Sequence, residues 1–221
     1  MSEVATHDSP GIGSRLQPHF ANAQQQYETA TFGMWVFLVT EVMFFGGLFT
    51  AYLIYRIQYA DAFVHASHHL DIVLGCFNTV VLIGSSLTMA MAVHSARISK
   101  SKMIAFWIFM TMILGGIFLG VKAYEYTIKW QHGLFPANFF FEAPDAGPQR
   151  IFYSLYFAMT GLHATHMVIG MGIMVYIAAQ ALKGSYTERW YTPVEIMGLY
   201  WHFVDLVWIF LFPLLYLIGR H

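Results

Sequence analysis

The sequence predicts an all-α, polytopic membrane protein, and its composition and the length of its apolar runs are the two observations behind that prediction. Of 221 residues, 57% are hydrophobic and only 10% are charged, whereas a soluble domain carries about 25% charged residues. The mean hydropathy is +0.54. Five apolar runs reach the length that a helix needs to cross a bilayer. They cover residues 31–55, 70–93, 103–124, 151–181 and 194–218.

The first run carries a carboxyl group near its middle. Glu41 follows Phe32 by nine residues, which is roughly 13 Å along a helix and close to the bilayer midplane. An ionised carboxyl there costs about 2.5–3.5 kcal/mol on insertion scales. We therefore expect Glu41 to be mostly protonated unless a cation from another helix reaches it. Its role is either a hydrogen-bonded clasp between helices or subunits, or the handling of protons.

The segments outside the runs predict the domain organisation and the topology. Residues 1–29 form a polar surface tail, and residues 30–221 form the transmembrane domain. The turn at residues 95–102 contains three basic residues and no acid, which marks it as cytoplasmic. The basic residues are Arg97, Lys100 and Lys102. This places the N-terminus inside and the C-terminus outside.

Two other connections have unusual composition. The first and second runs are joined through His65, His68 and His69, which could bind a metal but have no fixed ligand spacing in an exposed loop. The longest connection, residues 125–150, is rich in aromatic and turn-forming residues. We expect it to lie on the outer membrane surface or against a partner.

Small residues predict where the helices meet. Gly33, Thr40 and Gly47 recur every seven residues on the first run, and Gly116 and Gly120 are four apart on the third. In lipid, helices associate through the close backbone approach that such residues allow. We expect both sets to be packing seams.

Several polar side chains lie at membrane depth. On the second run, Asn78, Ser85 and Ser86 can hydrogen-bond across helices. On the fourth run, His163 and His166 are three residues apart, so they share a face of the helix.

The fifth run repeats this spacing with His202 and Asp205, which can exchange a hydrogen bond or a proton. For each of these histidines and for Asp205, an internal clasp that fixes helix packing competes with proton handling.

A redox centre in this chain is not expected. Two histidines one turn apart on a single helix cannot sandwich one haem iron, and the single cysteine, Cys76, excludes an internal disulfide and a paired-cysteine metal site. The formal net charge of −1 gives no indication of nucleic-acid binding. We predict no metal and no catalytic residue.

Motifs in several runs resemble those of a known family. The segments are YWHFVDLVWIFLF at residues 200–212, TGLHATHMVIG at residues 160–170 and TEVMFFG at residues 40–46. Asn78-Thr79 followed by Ser85-Ser86, and Glu125-Tyr126, follow the same family's pattern. Together they resemble cytochrome c oxidase subunit III, in order, from Trp35 to Tyr216. The chain is similar to the short, five-helix bacterial form, which lacks the first two helices of longer members.

The resemblance implies an accessory subunit of a haem–copper terminal oxidase in the bacterial cytoplasmic membrane. Such a subunit holds no cofactor, binds the catalytic subunit I among other oxidase subunits that carry the haems and copper, and supports proton uptake. Glu41 matches the family's intramembrane glutamate, and Glu125 joins Asn78, Ser85 and Ser86 as structural polar residues. The electron donor implied is cytochrome c, although the third subunit of quinol oxidases shares the motifs.

The resemblance also implies bound phospholipids. We expect a two-plus-three bundle in which a lipid-filled, V-shaped cleft separates the first two spans from the last three. The candidates for headgroup contact are Arg56, His94 and Arg97. A stand-alone proton-coupled carrier is the competing function, but five spans cannot form the two equal halves that many carriers have.

Overall fold

A computed structural model describes residues 17–68, 70–131, 146–186 and 190–217. The helices are α1 (Ala23–Gln58), α2 (Ala60–His68), α3 (Ile72–Arg97), α4 (Ser101–Gln131), α5 (Ala146–Leu182) and α6 (Thr192–Phe212), and a π-helical turn, Pro213–Leu217, follows α6. Five of them, α1, α3, α4, α5 and α6, are long and apolar enough to cross a membrane. The all-α, polytopic prediction is confirmed.

The helix starts depend on local capping. The side chain of Asn22 accepts a hydrogen bond from the backbone N–H of Gln25 at 2.8 Å, so α1 begins at Ala23, inside the predicted tail. Asp71 caps α3 in the same way, accepting from Val73 N–H at 2.8 Å. A side-chain acceptor at this position satisfies N–H groups that have no partner within the helix. Residues 1–16 of the predicted tail lie outside the described residues.

Two predicted loops contain helix instead. The histidine segment forms α2, in which His65 and His68 are exposed, while His69 lies outside the described residues. The predicted loop at residues 125–150 is helical up to Gln131 and again from Ala146. Its central part, residues 132–145, is not among the described residues.

Helix α6 is the centre of the bundle. Trp201 is fully buried, and its indole N–H donates to Ser85 Oγ of α3 at 3.1 Å. A Cβ at Gly115 of α4 would lie 3.2 Å from this ring, and one at Gly170 of α5 would lie 3.1 Å from it. The two glycines therefore make room for an indole that touches three helices.

The contacts of α3 contradict the predicted two-plus-three division. Thr88 Oγ1 of α3 lies 2.8 Å from Thr111 Oγ1 of α4, and Trp208 of α6 donates to Thr79 Oγ1 of α3 at 3.1 Å. The second span is thus packed directly against the third and the fifth, because hydroxyl groups and indoles fill the space between them. The V-shaped cleft between the first two spans and the last three was a wrong prediction.

Both predicted glycine seams face outwards. A Cβ at Gly33 or Gly47 of α1, or at Gly116 or Gly120 of α4, would meet nothing within 4 Å. Thr40, between the two α1 glycines, is also exposed. Within the described residues these seams do not pack helix on helix, so the prediction of internal seams was wrong.

Candidate functional site

Helix α1 meets α5 at an acid–imidazole pair. Glu41 Oε2 lies 3.1 Å from His166 Nε2, and the two side chains are 17% and 13% exposed. The neighbours of Glu41 on its own helix are apolar, as the sequence showed. The polar partner comes from α5 and is an imidazole, which is a cation only when it is protonated.

The other ring nitrogen of His166 defines how the pair shares protons. His166 Nδ1 lies 2.9 Å from the carbonyl oxygen of Leu162. Because a carbonyl can only accept, Nδ1 carries a hydrogen in this contact. The contact is attractive when a protonated Glu41 faces neutral Nε2, or when a carboxylate faces an imidazolium.

Aromatic side chains surround this pair. The hydroxyl of Tyr200 in α6 donates to the backbone carbonyl of His166 at 2.9 Å. The ring of Phe45 lies 5.5 Å from the imidazole of His166, and the ring of Phe37 lies 6.1 Å from that of Tyr200. Helices α1, α5 and α6 therefore meet at a largely apolar junction that contains the Glu41–His166 pair.

His202 and Asp205 do not form the direct pair that their spacing suggested. His202 Nδ1 lies 2.7 Å from Ser86 Oγ of α3. Asp205 is buried, and its carboxyl oxygens have no hydrogen-bond partner of good geometry among the described residues. The hydroxyls of Ser85 and Ser86 are the side-chain groups that approach it. Helix α3 thus inserts its hydroxyls where the sequence predicted a contact within α6.

His163 and Asn78 have apolar surroundings. His163 is fully buried, with its ring 5.5 Å from that of Phe118 and 5.4 Å from that of Trp208. Neither of its nitrogens, nor the amide of Asn78, has a hydrogen-bond partner in the described part of the chain. Although they share a helix face, His163 and His166 therefore belong to different sites.

A buried ionic cluster on α4 was missed at the sequence level. Glu125 accepts from Lys122 Nζ at 2.8 Å and from Lys129 Nζ at 2.7 Å. The hydroxyl of Tyr216 donates to Glu125 Oε1 at 2.7 Å and accepts from Lys122 Nζ at 2.6 Å. The charged side chains are only 4–5% exposed. Lys122 Nζ also lies 4.5 Å from the ring of Trp208, close enough for a cation–π contact.

The cluster has one carboxylate for two ammonium groups and joins α4 to the π-helical turn after α6. Its sequence signal was the spacing Lys122-x-x-Glu125-x-x-x-Lys129, in which each lysine is one turn from the glutamate. Assigning Glu125 to a loop hid this signal. Glu125 was predicted as structural, and its contacts agree with that role.

The predicted headgroup residues occupy two different places. Arg97 Nη2 forms an ion pair with Glu195 Oε1 at 2.7 Å, and the hydroxyl of Tyr27 in α1 donates to Glu195 Oε2 at 3.1 Å. His94 lines a cavity beside this pair. Arg56 lies near the other end of α1, and its Nη1 is buried without a hydrogen-bond partner among the described residues. The described part of the chain contains no cluster of three or more His, Cys, Asp or Glu side chains that could hold a metal.

Comparison with known proteins identifies the family. Residues 15–220 match the family "Cytochrome c oxidase subunit III". The chain belongs to this family. A cytochrome c oxidase subunit 3 from Corynebacterium diphtheriae is 33% identical, over 84% of this chain and 86% of the relative. One from Synechocystis sp. is 33% identical, over 95% of this chain and 85% of the relative. A quinol oxidase subunit 3 from Bacillus subtilis is 30% identical, over 90% of this chain and 94% of the relative.

Membership in the subunit III family confirms the resemblance drawn from the motifs. The chain is an accessory subunit of a haem–copper oxidase, a multi-pass membrane protein whose partners are other subunits of that complex. The Glu41–His166 pair and the clasps of α6 are therefore features of a protein that works within an oxidoreductase assembly.

Proposed function

We propose that the chain is the cofactor-free third subunit of a respiratory oxidase that transfers electrons from cytochrome c to oxygen and pumps protons. It stabilises the catalytic subunit I, and it supports the uptake of protons by that subunit. The observation that carries the proposal is the family match over residues 15–220. The haems and copper belong to partner subunits in this proposal.

The Glu41–His166 pair supports the proton role. It brings a carboxyl group and an imidazole, both of which can bind and release a proton, to the junction of α1 and α5. Its 3.1 Å separation also makes it a clasp between α1 and α5. Both roles use the same atoms, and replacing Glu41 by glutamine separates them, since the amide keeps a donor but cannot ionise.

The outward face of α1 supports contact with subunit I. Gly33 and Gly47 leave open space on this face, and Trp35, Val39 and Met43 are exposed on the same helix. Small residues on a lipid-exposed helix permit close approach of another helix. The partner in this proposal is a transmembrane helix of the catalytic subunit.

Phospholipid contact is proposed at the helix ends. Arg56 has a buried guanidinium nitrogen without a protein partner in the described residues, and a lipid phosphate is a suitable acceptor. At the other end, His94 and Arg97 border an open cavity, although Arg97 already pairs with Glu195. The basic turn between α3 and α4 supports a cytoplasmic location for that end in the bacterial inner membrane.

Purification of the intact complex from native membranes tests this function. We expect the chain to co-purify with haem absorbance and with oxygen consumption driven by reduced cytochrome c. After the chain is stripped away with detergent, the haem spectrum should stay, and activity should decline gradually during turnover. Loss of the haem spectrum upon clean removal, or a haem-free preparation with transport activity, would contradict the proposal.

Quinol is the alternative electron donor. The relatives from Bacillus subtilis and Bacillus spizizenii are quinol oxidase subunits, each at 30% identity. The same purified complex decides between the donors: we expect oxygen consumption with reduced cytochrome c and none with a soluble quinol. The reverse result would assign this chain to a quinol oxidase and leave its accessory role intact.

A further inference from the structure

The arrangement around Trp201 recurs one layer further along the bundle, with polar residues in place of small ones. Trp208 follows Trp201 by seven residues on α6, which is about two helical turns or 10 Å. The same step runs forwards along α4 and backwards along α3 and α5, because α6 is antiparallel to the last two helices. It leads from the neighbours of Trp201, which are Ser85, Gly115 and Gly170, to Asn78, Lys122 and His163.

The contacts of Trp208 place these residues in one cross-section of the bundle. Lys122 Nζ lies 4.5 Å from the Trp208 ring, and the ring of His163 lies 5.4 Å from it. The indole N–H of Trp208 donates to Thr79 Oγ1 at 3.1 Å, and Asn78 precedes Thr79 in the chain. Asn78 and His163 are each only 1% exposed. We call Asn78, Lys122, His163 and Trp208 the Trp208 layer.

The two layers differ in how their polar atoms are satisfied. Beside Trp201, the indole N–H is bound to Ser85 Oγ at 3.1 Å. In the Trp208 layer, both amide atoms of Asn78 and both ring nitrogens of His163 are buried and hydrogen-bonded to none of the described residues. Unpaired polar atoms in an interior are costly, and native proteins give nearly all such atoms a partner from the chain or from ordered water.

The unpaired atoms select the kind of molecule that can satisfy them. Asn78 offers N–H donors and a carbonyl acceptor, and a neutral His163 offers one N–H donor and one nitrogen acceptor. A small anion would leave the acceptors unmet, and a metal ion would leave the donors unmet. Lys122 needs no anion here, since its Nζ donates to Glu125 Oε2 at 2.8 Å and to the hydroxyl of Tyr216 at 2.6 Å. Water both donates and accepts, and a buried water makes two to four such bonds.

We propose that the Trp208 layer binds buried water, and that this water bridges the side chains of Asn78 and His163. The water joins α3 to α5 at this depth, whereas the ring of Trp201 contacts both helices in the neighbouring layer. The site is separate from the Glu41–His166 pair, and it does not depend on which electron donor the oxidase uses.

Solid-state NMR of the full-length chain in phosphatidylcholine vesicles tests for the water. Histidine and tryptophan rings are labelled with ¹⁵N, and magnetisation is transferred from water protons to the ring N–H groups. Both signals are assigned by correlation to backbone resonances. We expect a cross-peak between water and the N–H of His163. The matched control is the indole N–H of Trp201, which is equally buried but bound to Ser85, and which should show none. Absence of the His163 cross-peak would overturn the proposal.

A double-mutant cycle tests whether the two side chains share the water. Asn78→Leu and His163→Phe each remove one partner and leave the other side chain unpaired, whereas the double variant leaves neither. The equilibrium constant for folding is measured by denaturant unfolding in bicelles. We expect the double variant to lose about tenfold less of this constant than the product of the two single losses, a coupling typical of one hydrogen-bonded network.

Ser86→Ala combined with Asn78→Leu is the control for this cycle. Ser86 follows Asn78 by eight residues on the same helix, about 12 Å away, and its hydroxyl contacts His202 instead. The losses of this pair should simply multiply. Losses that also multiply for Asn78 and His163 would show that they share no water and would overturn the bridge. The NMR measurement uses the unsubstituted chain, so it remains decisive if a variant fails to fold.

Discussion

Helices α1 and α6 cross the same membrane, yet they are built for opposite surroundings. In the most apolar 18-residue stretch of α6, 61% of the residues are buried within the chain, against 17% in α1. The indole of Trp201 in α6 is fully buried, whereas the indole of Trp35 in α1 is 55% exposed. The ring of Trp201 occupies the space beside Gly115 and Gly170, whereas Gly33 and Gly47 of α1 face open space.

The difference shows how an accessory subunit divides its helices. Helix α6 stabilises the chain itself, through interlocked rings, hydroxyls and glycines. Helix α1 attaches to the bundle at a few points, chiefly Glu41–His166 and Tyr27–Glu195, and leaves one face available. Helices α1 and α6 have similar hydropathy but differ in how closely they pack against the rest of the chain. Hydropathy does not decide this, because close packing and hydrogen bonds drive helix association within a lipid bilayer.

The largest expected effect is on the core of α6. Replacing Trp201 by alanine should lower the free energy of unfolding by about 3–5 kcal/mol, because a large side chain in a closed slot leaves a cavity. Denaturant unfolding of the full chain in bicelles measures this. Trp35→Ala on α1 is the matched control and should change the same quantity by less than about 0.5 kcal/mol. Equal effects of the two substitutions would remove the contrast between the helices.

The next effect concerns the ionic cluster that joins α4 to the turn after α6. Glu125→Leu leaves Lys122 and Lys129 buried without their carboxylate, and breaking such a group costs about 3–5 kcal/mol at sites from which water is excluded. We place the loss at the low end of that range, because cation–π contacts with aromatic rings remain. Glu28→Leu, an exposed position on α1, is the control. If both substitutions are tolerated alike in the same unfolding assay, the cluster is not structural.

A smaller effect is expected where α1 meets α5. Glu41→Leu should destabilise the chain by about 0.6–1.7 kcal/mol, the range measured for hydrogen bonds between membrane helices. Glu41→Gln should be nearly neutral, since its amide can donate to His166 Nε2. In the assembled oxidase we expect Glu41→Gln to reduce sustained proton uptake at alkaline pH. Normal pumping by this variant over many turnovers would leave the clasp as the only role of Glu41.

The smallest effect on the chain itself is expected at the open glycines of α1. Gly33→Leu and Gly47→Leu should change the free energy of unfolding by less than about 0.5 kcal/mol, because the added side chains meet no atoms of this chain. Retention of the chain in the purified oxidase should fall, since these residues are proposed to face a helix of the catalytic subunit. Unaltered retention would show that the partner binds elsewhere.

Residue patterns gave the five spans and the polar side chains at depth, because hydrophobic length and isolated acids are properties of single helices. They did not give the pairing of those side chains. Glu41 contacts His166, and His202 contacts Ser86, each across an interface between two helices. The spacing of residues along one helix does not predict such contacts. The glycine seams were misassigned for the same reason, since small residues suit an internal neighbour and an external one equally.

The Lys122–Glu125–Lys129 cluster was missed by the sequence analysis for a different reason. Its spacing was present in the sequence, but hydropathy ended the third span at Tyr124 and left the rest as loop. Charged residues lower a hydropathy average even when they neutralise one another in a buried group, so the C-terminal end of α4 was predicted seven residues too early.

The central position of α6 has a consequence for how the chain is made. Synthesis proceeds from the N-terminus, so the four spanning helices that precede α6 enter the bilayer before the helix that fills their middle exists. Until then Gly115 and Gly170 border a slot without its indole. The tight turn between α3 and α4 lets those two insert as a hairpin, but the bundle closes only when α6 leaves the ribosome. Insertion of α6 therefore completes the packing of the bundle. We expect membrane proteases to remove a nascent chain whose synthesis stops before α6 is made.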